Sequence, residues 1–153
     1  MGIDKRSKAL DSMMHSDIKE KYRQICKNIS LNIPDHCTWQ WDEKFHTTVV
    51  VFETLDQDLI LFPIIQEFED RWDFLSIERS GKAFYRFFID RFGVIPGQFV
   101  FTAGDDDTCK LFAVWWPWGD DEKVSLRVGL FINKADASSH DRLRAMLTQW
   151  FKM

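Results

Sequence analysis

Val114-Trp115-Trp116-Pro117-Trp118-Gly119-Asp120-Asp121-Glu122-Lys123-Val124-Ser125-Leu126-Arg127-Val128-Gly129-Leu130-Phe131-Ile132 is the stretch that decides the fold of this 153-residue chain. Val124, Leu126, Val128, Leu130 and Ile132 alternate with Lys123, Ser125, Arg127, Gly129 and Phe131, the period-two pattern of a half-buried strand. Ahead of the acidic turn at 119–122, residues 110–118 read as a second strand, and 98–104 as a third across the turn at 105–108. Three strands joined by short acidic turns predict an antiparallel meander. Alternation divides the indoles: Trp116 and Trp118 share a face with Val114, Phe112 and Lys110, whereas Trp115 faces the other way with Ala113 and Leu111.

Working outward, the C-terminal segment places Ser138 and Asp141 in capping-box spacing before Leu143, Met146, Leu147 and Trp150, which predicts a closing helix. At the other end Leu10, Met14, Ile18, Tyr22, Ile25 and Ile29 recur at steps of three or four, so a long helix is expected from about Ser7 to Ser30, with residues 1–6 ahead of it. Trp39 and Trp41 fall in a connection over 35–43, on the same side if the backbone there is extended. The β-branched run at 47–51 predicts a strand over 45–54 that is apolar on both faces and central in its sheet.

Leu61, Ile64, Ile65, Phe68 and Trp72 recur at helical spacing after Asp56. Pro63 leaves two readings, a kinked helix from Gln57 or a shorter helix preceded by a strand over 58–62. Residues 74–79 read as a short strand. Lys82, Arg86 and Asp90 form one polar stripe between Ser80 and Gly93, predicting a helix, with a hairpin turning at Ser80-Gly81 as the alternative. The expected fold class is α+β, one domain over 1–153, with a sheet of about five strands covered by helices and long helices at both ends.

Composition bounds the function. With seven Trp and fourteen Phe, the chain is too apolar for disorder and large enough to bury a core without crosslinks. No apolar run reaches the roughly 18–20 residues that span a bilayer, and no apolar stretch follows the N-terminal residues, so a cytoplasmic protein without a membrane partner is expected. Cys26, Cys37 and Cys109 have neither disulfide nor zinc-knuckle spacing, and reduced, buried thiols are the expectation. His36 beside Cys37, with His46 ten residues on, is the nearest approach to a metal cluster, and no metal or cofactor is expected.

Charge is segmental: +3 over 1–33, −11 over 34–122 and +4 over 123–153. The acidic middle excludes a general nucleic-acid binder and suits a partner with a basic surface, unless the basic ends lie against it and neutralise it. No phosphate loop, nucleophile elbow or two-histidine zinc helix is present. The run Asp105-Asp106-Asp107 could offer oxygen ligands to a hard cation, but three successive carboxylates diverge and suit a solvated turn.

Seven indoles in a chain of this size are mostly core material. Trp118 at a strand end beside acids is the hardest to bury, and Trp39 and Trp41 lie in a connection. The candidate binding residues are therefore Trp116, Trp118, Asp120, Asp121, Trp39 and Trp41. The expectation is a small protein-binding domain, of inhibitor or immunity type and not an enzyme, acting through an acidic, tryptophan-bearing surface. Two rivals stand beside it. One is a ligand-binding or hydrolytic domain with Trp116 and Trp118 lining a pocket and Asp105–Asp107 or His46 supplying polarity; the other is a homodimer.

Overall fold

The computed structural model describes residues 14–104, 107–120, 122–134 and 137–153. Helix α1 (Ser16–Leu31) starts later than the expected Ser7, with His15 extended ahead of it and 7–13 outside the described residues; it is followed by β1 (Gln40–Asp42), β2 (Thr47–Glu53), a 3-10 turn (Thr54–Asp56) and α2 (Gln57–Glu67). Next come β3 (Asp70–Trp72), a 3-10 turn (Ile77–Arg79) and α3 (Lys82–Arg91). The meander is β4 (Phe99–Ala103), β5 (Cys109–Pro117) and β6 (Lys123–Ile132), and α4 (His140–Trp150) closes the chain. One six-stranded sheet in the order β1-β2-β6-β5-β4-β3 results, antiparallel at every pairing.

Strand alternation sends the two faces of β5 into two cores. Leu111, Ala113 and Trp115 pack with Tyr22, Ile25 and Ile29 of α1, Ile60 and Ile64 of α2, and Leu143, Leu147 and Trp150 of α4. Phe112 and Val114 pack on the opposite side with Phe84 and Phe88 of α3, Phe92 and Phe131. The indole of Trp115 thus belongs to one layer and that of Trp116 to the other. Tyr22 ties α1 to the β4–β5 connection: its hydroxyl lies 3.1 Å from the Ala103 carbonyl oxygen and 3.3 Å from that of Cys109. Gly104, at φ +110°, makes room for it, since a Cβ there would stand 2.5 Å from the Tyr22 oxygen.

The α+β class and the C-terminal meander agree with the sequence reading, and the sheet has six strands where about five were expected. The additional strands are the short edges. β1 emerges within the segment read as a connection, and β3 lies at 70–72, replacing the strand expected over 74–79 and correcting the helical reading of Trp72, because α2 already ends at Glu67 and Ile65 of the expected inward set is exposed. That later segment instead turns: the Asp73 carboxylate accepts from the backbone amides of Leu75 and Ser76 and from the Ser76 hydroxyl, and the 3-10 turn follows. An Asp-initiated turn satisfies its own amides locally, which outweighs the strand preference of Phe74 and Leu75.

β6 is also more buried than its alternation implied. It lies between β2 and β5, and Ser125, Gly129 and Phe131 are buried along with the Val and Leu positions. Arg127 is accommodated on that face because its guanidinium lies over Phe45 and Trp116, at 5.0 and 5.6 Å from the ring centres, while its Nε donates to Asp42 at 3.3 Å. Pro63 stands inside α2, which begins at Gln57 as in the first of the two readings. The proline deprives the Leu59 carbonyl of its intrahelical donor, and because Leu59 is exposed, water can serve that oxygen.

α3 is a helix, but its N-terminus is capped from elsewhere in the chain. The Asp107 carboxylate accepts from the amides of Ala83 at 2.7 Å and Phe84 at 3.0 Å, whereas Ser80 donates its hydroxyl to the Ile77 carbonyl. A carboxylate on these orphan amides also opposes the positive end of the helix dipole. Gly81, at φ +125°, allows this approach, because a Cβ there would lie 2.5 Å from Asp107 Oδ1. Asp107→Ala is expected to cost about 1–2 kcal/mol by the loss of this cap. Urea unfolding checks it, with the intact cap of the Asp107→Asn variant retaining part of the stability.

Candidate functional site

The candidate tryptophans do not share one groove. Trp39 rests on the core formed with α1, α2 and α4, its ring 4.3 Å from that of Phe151. Its Nε1 is buried with no hydrogen-bond partner among the described residues. Trp41 lies on the same side of the sheet, donates its Nε1 to Glu43 at 2.8 Å, and carries the Arg144 guanidinium 5.7 Å above its ring. Trp116 lies on the opposite side, half-buried against the α3 layer and covered by Arg127. Each of these three rings is therefore largely occupied by the protein's own side chains.

Trp118 differs. It lies just beyond β5, is 41% exposed, and has Lys123 Nζ 5.6 Å from its ring centre. The hairpin tip beside it is held by the Asp120 carboxylate, which accepts from the amide of Glu122 at 2.9 Å. Asp121 lies outside the described residues, as do Asp105 and Asp106 of the other acidic turn. This tip abuts the 3-10 turn that leads into α2, because the amide of Thr54 donates to the Glu122 carbonyl at 2.8 Å. A cavity of about 370 Å³ lies at that junction, walled by Glu53, Leu55, Glu122 and Lys123.

From the junction runs a strip of exposed apolar side chains. Leu55, Leu59 and Phe62 are 92%, 68% and 63% exposed, and their steps of four and three place them on one side of the turn-plus-helix segment. Ile60 and Ile64, by contrast, are buried in the core. α2 is thus apolar on its outward as well as its inward side, which a helix covering a sheet does not need. Residues 53–70 hold six acids and no Lys or Arg, with Glu69 paired to Lys21 of α1 and Glu53 across from Lys123 of β6. Strand and helix periodicity alone missed this site. The available signal was the surplus of apolar residues in and just before α2, where Leu55, Leu59 and Phe62 stand in addition to the helically spaced set that begins at Leu61.

The histidine and cysteine candidates fall apart as a group. His36 Nε2 lies 3.4 Å from the Asp56 carboxylate. Neighbouring Cys37 has its thiol pKa pushed up by burial and by the charges of Asp56 and Glu53, the reverse of what a nucleophilic thiolate requires. Burial likewise pushes the Cys26 thiol up. His46 stands on the other side, at φ +53°, with its ring stacked 3.9 Å from that of His140. With Arg91 these rings line a small cavity of about 80 Å³. Burial lowers the Arg91 pKa, and its guanidinium donates to the Phe45 carbonyl at 3.3 Å. Among the described residues no three His, Cys, Asp or Glu side chains converge as a metal-binding group, and no helix is long and apolar enough to cross a membrane.

No family model, no curated protein and no solved structure matches this chain, so its surface chemistry carries the functional reading.

Proposed function

We propose that this chain is a protein-binding domain that docks a partner on the outward side of α2 and the adjoining β5–β6 tip. The observation that carries this reading is the strip Leu55, Leu59 and Phe62, exposed on a segment that holds six acids and no base. Contiguous exposed apolar surface favours removal from water, and its charged setting selects what covers it. The partner that fits presents apolar side chains flanked by Lys or Arg. Glu53 and Glu122 at the cavity beside Leu55 offer carboxylates to such a cation, and Trp118 with Asp120 extends the surface along the hairpin tip. A second copy fits poorly, since apposed strips would bring acidic segments together.

The double variant Leu59→Gln/Phe62→Gln tests this. Both side chains are exposed, so the substitutions are expected to change stability by no more than about 0.5 kcal/mol, whereas Ile60→Ala or Ile64→Ala is expected to cost about 2–5 kcal/mol. Affinity capture is then compared between the native protein and the folded double variant. The expected result is one protein retained by the native chain, released by raised salt, and reduced about tenfold or more with the variant. Carboxyl-to-amine crosslinks should join Glu53 or Asp58 to its lysines. Equal retention by both proteins sinks the proposal, and so does a native dimer in light scattering that the double variant abolishes.

A further inference from the structure

On the other side of the molecule, remote in character from the acidic strip, a cavity of about 490 Å³ opens between α3 and the C-terminal end of β6. Its volume falls in the range of small-ligand sites. Lys82 and Arg86 enter it from one side of α3, four residues apart, and Lys134 enters from beyond β6. Among the described residues none of these three cations has a hydrogen-bonding or ion-pair partner, and all three are exposed at the rim. Lys134 has φ +66°, a left-handed conformation uncommon for lysine, at the point where the chain leaves the strand.

Apolar surface completes the cavity. Phe87 and Phe131 line it with their ring centres 5.1 Å apart. Phe87 is held by Arg91, whose guanidinium lies 5.2 Å from its ring centre, and Phe131 is buried beneath Phe84. Two acids also line the site. The Asp107 carboxylate accepts from the first amides of α3 but keeps its charge, and Asp90 lies one helical turn beyond Arg86, so three cations and two carboxylates leave the lining at +1. The helix terminus itself is therefore filled, and recognition rests on side chains.

We propose that this cavity binds a small organic anion with a flat apolar body, its phosphate or carboxylate held by Arg86, Lys82 and Lys134 and its body laid against Phe87 and Phe131. Arg86 supplies a planar fork suited to two oxygens, while the lysines act as point charges on either side. An extended polyanion fits this site poorly, because its binding needs a continuous basic track and here Asp90 and Asp107 interrupt the cations.

The probes are 1-naphthyl phosphate, inorganic phosphate and 1-naphthol, titrated by calorimetry and by backbone amide NMR against the whole chain. The expected result is that 1-naphthyl phosphate binds at least about tenfold more tightly than either fragment, with shifts centred on 82–91 and 131–134. Arg86→Gln and Lys134→Gln should each weaken it by about tenfold, the loss of one charge-assisted contact. Leu59→Gln/Phe62→Gln should leave it unchanged, which separates this site from adsorption on the apolar strip. Unaltered affinity in an Arg86→Gln/Lys134→Gln double variant overturns the proposal. So do shifts confined to α2, or naphthol binding as tightly as the phosphate ester.

Discussion

Phe84→Ala is expected to destabilise the protein by about 3–5 kcal/mol, a large part of the roughly 5–15 kcal/mol that holds a domain of this size folded. Phe84 is 0% exposed and stands at the centre of the smaller core, with ring centres of Phe87, Phe88, Phe112 and Phe131 between 5.5 and 6.1 Å away. Among the described residues this face of the sheet is covered by one α-helix, α3, whereas the other is covered by α1, α2 and α4. Removing the ring leaves a void that α3 cannot collapse into, because Asp107 holds its first turn and Phe88 and Phe92 hold its last. Thermal unfolding should fall by about 10 °C. The comparison is Phe62→Ala, an equal deletion at an exposed position, for which a change within about 0.5 kcal/mol is expected. Equal losses at the two positions would mean that the α3 layer is not a packed core.

Gly129→Val is expected to rival this effect through the opposite fault, too much volume. Gly129 pairs with Phe112 across β5 and β6, and a Cβ there would stand 2.7 Å from Phe112 Cζ and 2.8 Å from Thr47 Cγ2. Neither neighbour can retreat easily: Phe112 is enclosed by Phe84, Phe87 and Phe92, and Thr47 is completely buried in β2. Overpacking of this kind costs about 1–3 kcal/mol for small increments, and the branched valine should reach or exceed the upper end. Urea unfolding measures it. Gly129→Ala should cost less, and adding Phe112→Leu to Gly129→Ala should restore part of the loss by removing the ring tip. If the second substitution only adds to the first, the clash is not the cause.

The candidate surfaces differ in how far sequence could reach them. That Trp115 and Trp116 part company follows from β alternation and needs no tertiary information. That Trp39 and Trp41 lie on the side opposite Trp116 does not, because it depends on β1 pairing with β2 in the register Trp41 to Thr48. The strip on α2 was hidden by a related ambiguity. A helix apolar on all sides is compatible with complete burial, and only the packing of Ile60 and Ile64 against the sheet shows that Leu55, Leu59 and Phe62 are left outside. The ligand cavity was less legible still, since Arg86 and Lys134 lie 48 positions apart and meet through the docking of α3 across the end of β6.

Local periodicity by itself determined the α+β class, the antiparallel meander and the face on which each β5 side chain lies, whereas 82–91 stayed open between helix and hairpin until the structure showed a helix. These are matters of which side of a regular element a residue occupies, and the repeat of 2 or 3.6 residues answers them within a short window. Only the tertiary structure decided the strand order, the capping of α3 by Asp107, the need for glycine at 129 and which apolar and charged residues remain at the surface. Each of those depends on contacts between segments distant along the chain. Their free energy is shared among partners that no local window contains.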